Sequence, residues 1–185
     1  MSEPEIRPAI AADLPAITAI YREAVLQGTA TFELDPPDLA EMTRRFEGIT
    51  AAGFPYLAAL LEGRVIGYSY ASLYRTRPAY RFTVENAIYL APESHRRGVG
   101  ARLLERLIDD CEKRGFRQMV AVIGDSANTG SIGLHGSQGF RQIGKLDAVG
   151  FKFGRWLDTV MMQRAIGGGG RTMPESEPAR SAARE

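Results

Sequence analysis

The chain has 185 residues, 44% hydrophobic and 24% charged, which suits one domain with a sizeable core and is short for two. Its 23 basic and 22 acidic residues leave a formal charge of +1, against the basic excess a general nucleic-acid binder needs to release phosphate counterions. One cysteine, Cys111, excludes an internal disulfide framework, and with only two histidines no metal centre is expected.

The acidic start, Met1-Ser2-Glu3-Pro4-Glu5, lacks the basic and apolar regions of a secretory signal. No apolar run approaches the ~20 residues of a membrane span, so a cytoplasmic location is the expectation. Ile6 opens a short strand. Asp13 is placed to cap a helix whose Ile17, Ile20, Tyr21 and Ala24 share one face and which Gly28 ends. A second helix is expected from Asp38 to Glu47, carrying Leu39, Met42 and Phe46. Strands at 56–61 and 65–70 flank the turn signal Glu62-Gly63-Arg64, and Phe82 to Leu90 is a further strand. The clearest helix sets Leu103, Leu104, Leu107, Ile108 and Cys111 against Arg102, Glu105, Arg106, Asp109 and Asp110, and stops at Gly115. Met119 to Ile123 is a continuous apolar run, as in a buried parallel strand. Strands at 140–146 and 152–164 complete a mixed α/β domain over 1–166, with antiparallel flanks around a central βαβ unit. From 167 to 185 the chain has four consecutive glycines and then Met173 as its single large apolar residue; a disordered tail is expected.

Arg96-Arg97-Gly98-Val99-Gly100-Ala101 joins a strand to a helix. Glycines there let backbone N–H groups approach an anion, and the helix N-terminus adds partial positive charge. A Walker loop is excluded, since Ala101-Arg102 follows Gly100 where Lys-Ser/Thr is needed. A dinucleotide fingerprint fails because Leu103 stands where its third glycine belongs. A phosphate cradle and a tight turn without ligand both remain open on the glycines alone.

Ile88-Tyr89-Leu90-Ala91-Pro92, Gly98-Val99-Gly100, the amphipathic helix, the apolar strand, Asn128, Leu134-His135 and Gly139-Phe140 follow in an order that resembles the Gcn5-related N-acetyltransferase (GNAT) superfamily. The resemblance implies the GNAT fold, a mixed sheet with antiparallel N-terminal strands and a central βαβ acetyl-CoA-binding unit. It puts the pantetheine arm of acetyl-CoA along Ile88, Tyr89 and Leu90. The pyrophosphate falls on the amides of Arg96, Arg97, Gly98, Val99, Gly100 and Ala101, with a further contact at Asn128. His95 departs from the pattern, which has Gln or Arg three positions before Gly98.

Further segments are similar to the phosphinothricin and methionine sulfone/sulfoximine acetyltransferases. They are Thr31-Phe32, the run from Tyr74 to Thr83-Val84-Glu85, Ala121 to Gly124, and Lys152-x-Gly154-x-Trp156-x-Asp158. That likeness implies Glu85 and His135 as the acid/base pair and a homodimer as the assembly. It implies Phe32, Arg75, Thr76, Arg77, Tyr80 and Glu85 as substrate contacts. An α-amine is mostly protonated at neutral pH and must lose a proton before it attacks a thioester. Glu85 is placed to take that proton directly or through a water. A phosphinate or oxidised-sulfur amino acid calls for charge-assisted donors, which Arg75 and Arg77 supply. Phe32 and Tyr80 are implied pocket walls, and Lys152 and Trp156 shape either the pocket or a dimer contact. A backbone N–H near Tyr89 or Leu90 would stabilise the oxyanion. Arg22, Arg44 and Arg45 read as solvated. Gly130, Gly133, Gly136 and Gly139 recur through a stretch the family makes helical, each interior one costing about 0.5–1 kcal/mol against alanine. The helix carrying His135 is therefore expected to be short or loose.

Three functions compete. The first is acetylation of the α-amine of such an amino acid. The second is a catalytically silent acyl-CoA-binding sensor, and the third is acetylation of a polyamine or protein N-terminus, which the paired arginines disfavour.

Overall fold

The computed structural model describes residues 3–179. Its elements are β1 (Glu5–Pro8), α1 (Leu14–Gln27), α2 (Leu39–Ala51), β2 (Tyr56–Leu61), β3 (Arg64–Leu73), β4 (Thr83–Leu90), α3 (Val99–Lys113), β5 (Gln118–Gly124), α4 (Thr129–Ser137), β6 (Arg141–Lys152) and β7 (Arg155–Ala165). The strands form one sheet in the order β1-β2-β3-β4-β5-β7-β6, antiparallel except where β4 lies parallel to β5. The β4–α3–β5 unit and the antiparallel flanks are as expected, and none of the helices among the described residues could cross a membrane.

Two unlike cores sandwich the sheet. On one face α3 buries Leu103, Leu104, Leu107, Ile108 and Cys111, the residues its periodicity picks out. Each large aliphatic side chain contributes about 1.5–3 kcal/mol by leaving water. On the other face α1 and α2 cover tyrosines. Tyr56 stacks on Tyr70 at 5.1 Å and on Tyr68 at 5.8 Å, and Tyr21 meets Tyr89 edge-on at 4.9 Å.

Several local expectations need correction. Asp13 does not cap α1 with its side chain; its carboxylate is taken by Arg7 at 2.7 and 2.8 Å and by the Ile10 amide. The last two strands divide elsewhere, at Phe153-Gly154, whose φ values of 52° and 72° suit a tight two-residue hairpin turn. Strand β6 is almost wholly exposed and shifts register twice, so it shows no alternation for a sequence reading to follow. Helix α4 is short, nine residues, but does form, with Asn128 Oδ1 accepting from the Ser131 amide at its start.

Residues 167–179, expected to lack fixed structure, run back beside the end of α3. Arg117 donates to the carbonyls of Gly169 (3.0 Å) and Thr172 (2.9 Å), and the Ala179 amide to Arg114 O (2.8 Å). Residues 180–185, the rest of that segment, lie outside the described residues.

Phe32, between α1 and α2, lies over Gly124 and Gly150, where added Cβ atoms would come within 2.9 and 2.3 Å of its ring. Gly150→Ala should therefore destabilise the fold by about 1–3 kcal/mol in urea denaturation. In the Phe32→Ala background the same substitution should cost much less, because the two positions share one contact.

Candidate active site

The parallel pairing of β4 with β5 covers Thr83↔Gln118 to Asn86↔Ala121 and then stops. Beyond it β4 runs on to Leu90 beside β3, and β5 to Gly124 beside β7. The two strands part, leaving the outer edge of 87–90 without a strand partner. A cleft of about 130 Å³ occupies the split, lined by Glu85, Ile88, Tyr89, Asn128 and His135 among others. Five of the residues singled out in the sequence thus converge on one space.

Alternation along β4 decides how they enter it. Val84, Ile88 and Leu90 pack with the α3-side core and Tyr89 with the tyrosine side. Glu85 accordingly shares the face of Tyr89, and Asn86 the opposite one. Glu85 is half-buried; burial pushes its carboxyl up, and the nearby Arg75 guanidinium opposes this. His135, 2% exposed, reaches the cleft from the other face through Asn86. The supposed acid/base pair is therefore not in direct contact: the two groups flank the split from opposite sides.

Asn86 was not picked out from the sequence. Its Nδ2 donates to Val120 O at 3.1 Å, which fixes the amide and turns Oδ1 toward His135 Nε2 at 3.0 Å. His135 Nδ1 faces Ser131 O at 2.8 Å. Burial pushes the imidazole below its ordinary value, and the Ser131 carbonyl at Nδ1 opposes this only in part. No signal in the sequence links positions 49 apart in this way.

At the end of β4, Arg96 (φ 59°) and Gly98 (φ 77°) adopt left-handed conformations that turn the chain into α3. Gly98 provides no side-chain cap; Arg102 donates back to Gly98 O, and the amides of 99–101 find no acceptor among the described residues. Those free donors, with Arg96 and Arg97 exposed alongside, suit a pyrophosphate.

The implied substrate residues are more scattered. Arg75 stacks over Tyr74 at 4.4 Å and acts on Glu85 by its charge. Tyr80 meets Tyr74 edge-on at 5.8 Å, and Thr76 and Arg77 stand exposed in the same loop. Lys152 is buried and donates to Thr31 O at 2.9 Å, beside Phe32, whereas Trp156 is 65% exposed. Lys152 therefore lies inside, against the segment between α1 and α2, and Trp156 on the outer surface. Arg45, expected to be solvated, is instead held by Glu33 (2.6 Å) and Glu41 (2.7 Å). Asp125 was also missed: its buried carboxylate accepts from Thr29 (2.9 Å), the Ala127 amide (3.0 Å) and Arg155 (2.5 Å), tying three segments together around the cleft.

Residues 17–140 match the acetyltransferase (GNAT) family. The chain belongs to that family. It is 54% identical to the phosphinothricin N-acetyltransferase of Alcaligenes faecalis over 88% of this chain and 83% of that protein. It is 42% identical to the L-methionine sulfoximine/L-methionine sulfone acetyltransferase of Pseudomonas paraeruginosa over 85% of this chain and 92% of that protein. Among solved structures, a GNAT superfamily phosphinothricin acetyltransferase from Sinorhizobium meliloti in complex with AcCoA superposes with a TM-score of 0.93 at 51% identity, covering 98% of both chains. The GNAT fold inferred from the sequence is the fold observed.

Burial of Glu85 has a measurable cost. Since the folded-state carboxyl is pushed above its ordinary value, its contribution is most favourable below pH 4.5 and is lost as pH rises through the raised pKa. Glu85→Gln should accordingly raise the thermal midpoint at pH 7, and the gain should vanish in melts below pH 4.5.

Proposed function

We propose that this GNAT enzyme transfers acetyl from acetyl-CoA to the α-amine of phosphinothricin, methionine sulfone or methionine sulfoximine. The observation that carries the reading is a half-buried carboxylate, Glu85, inside the split between β4 and β5. The relatives named above lend the substrate class.

In this reading the edge of Ile88, Tyr89 and Leu90 takes the pantetheine arm, and the loop from Arg96 to Ala101, with its free amides at 99–101, takes the pyrophosphate. Asn128 lines the same cleft, although its Oδ1 is already used to cap α4. Acetyl-CoA supplies the activated thioester. Glu85 draws the proton from the incoming amine, helped by a burial that makes it a better base than a solvated carboxylate. His135 delivers a proton on the thiol side, where Asn86 orients its Nε2. Arg75, Thr76, Arg77 and Tyr80 approach the acceptor from the loop after β3, and Phe32 walls it from the other side. The domain 1–166 carries this chemistry, and no metal takes part.

Assay of coenzyme A release with the three amino acids, alanine and a polyamine tests the proposal. Turnover of the oxidised-sulfur or phosphinate substrates is expected, and Glu85→Gln should lower kcat by about 10²–10⁴ with acetyl-CoA affinity retained. Binding of acetyl-CoA without turnover of any amine would point to the silent sensor instead.

A cytoplasmic homodimer is part of the same proposal. Support comes from apolar residues left exposed along β6 and β7, among them Leu146, Val149, Phe151, Phe153 and Trp156. Sedimentation should show a dimer, and Phe151→Glu combined with Trp156→Glu should yield a monomer.

A further inference from the structure

Where β5 ends, one carboxylate reaches both sides of the cleft. Asp125, the first residue past the strand, is 5% exposed and left-handed at φ 69°. Its Oδ2 accepts from the Thr29 hydroxyl (2.9 Å) and from Arg155 (2.5 Å), and its Oδ1 from the Ala127 amide (3.0 Å). Its own amide donates to Asp158 O at 2.9 Å, and its carbonyl accepts from the Asn128 amide at 3.0 Å. Aspartate tolerates the left-handed region better than most side chains, yet strain there persists only where the surroundings over-determine it. The hydrogen bonds around Asp125 supply that constraint.

Its two limbs lead to opposite faces of the sheet. Thr29 follows α1, on the tyrosine side, and the next residue, Ala30, lines the cleft. Ala127 precedes Asn128, also a lining residue, at the start of α4, whose Ile132 and Leu134 pack with the α3-side core. The Thr29 limb is held close. A Cβ on Gly124 would meet Thr29 O at 2.5 Å and Ala30 O at 3.2 Å, so this backbone lies directly on the end of β5. Asp125 itself stands behind the cleft rather than in it. The Ala127 amide, with Arg155 and Thr29, holds its carboxyl below the ordinary value against the effect of burial. Bonds to an ionised carboxylate are the stronger kind, which suits a fixed reference point.

We propose that Asp125 is a positioning residue for the transfer, setting the separation between the acceptor side of the cleft at Ala30 and the coenzyme side at Asn128. This role rests on the acetyl-transfer reading above, in which amine and acetyl-CoA meet in this cleft. Displacing reacting groups by about 1 Å is enough to cost on the order of a hundredfold in rate.

Separate KM values for methionine sulfone and acetyl-CoA, with calorimetric affinity for acetyl-CoA, test the role. Thr29→Val keeps the branched shape and removes one limb. It should raise KM for the sulfone about fivefold or more and leave acetyl-CoA affinity within about twofold. Asp125→Gly keeps the left-handed turn without the carboxylate, and should weaken both about fivefold or more and lower kcat. Adding Thr29→Val to Asp125→Gly should change little further, since the two positions share one contact. Asp125→Asn still offers an acceptor to the Ala127 amide and should recover most of the acetyl-CoA affinity. Circular-dichroism melts confirm that each variant is folded. If the wild type acetylates the sulfone but folded Thr29→Val shifts neither constant beyond about twofold, or shifts both alike, Asp125 is a structural tie only and the inference falls alone. If the wild type acetylates no amino acid, the acceptor reading falls and takes the inference with it.

Discussion

The early end of the β4–β5 pairing is the constraint on which the rest of the molecule turns. Only four residue pairs join the strands before each follows its outer neighbour. Backbone groups that a continuous sheet would consume are thereby released inside the protein, and a buried unpaired N–H or C=O costs free energy until something binds it. The split also brings residues of the two faces to one space. Glu85 and His135 belong to different faces and meet one cleft only because the strands separate there.

The unlike composition of the two faces follows from this division of labour. Helix α3 needs only an aliphatic stripe to hold the βαβ unit rigid beneath the glycine loop. The opposite face has to leave room beside Glu85, and it does so with tyrosines, which stack as walls and carry a polar tip. The polar ties among Thr31, Tyr21, Glu33, Arg45 and Glu41 then fix the connection between α1 and α2 over that space.

Much of this was legible in the chain where a single element held the whole signal. The α3 stripe, the hairpin at Glu62-Gly63 and the glycine loop each follow from local spacing and backbone preference. Resemblance to a family brought out Glu85 and His135, whose spacing alone says little. What stayed hidden depends on contacts between distant segments: Asn86 on His135, Asp125 between Thr29 and Arg155, and Arg45 on Glu33. The Asp158 of the Lys-x-Gly-x-Trp-x-Asp run is a case in between. The run resembles the phosphinothricin and methionine sulfone/sulfoximine acetyltransferases without assigning Asp158 a role; its carboxylate, held down to about 2, accepts from Ser126, Lys145 and the amide of left-handed Ala148. Its observed work is to shape the irregular middle of β6.

The slot that seats Phe32 carries a consequence for how this protein can change. The ring rests where Gly124 and Gly150 leave no room for even one more carbon, and those glycines come from different strands. Three positions far apart in the chain are thus bound into one unit of inheritance. A lineage that reshapes this slot has to pass through a partner substitution first, so changes here should arise in linked steps.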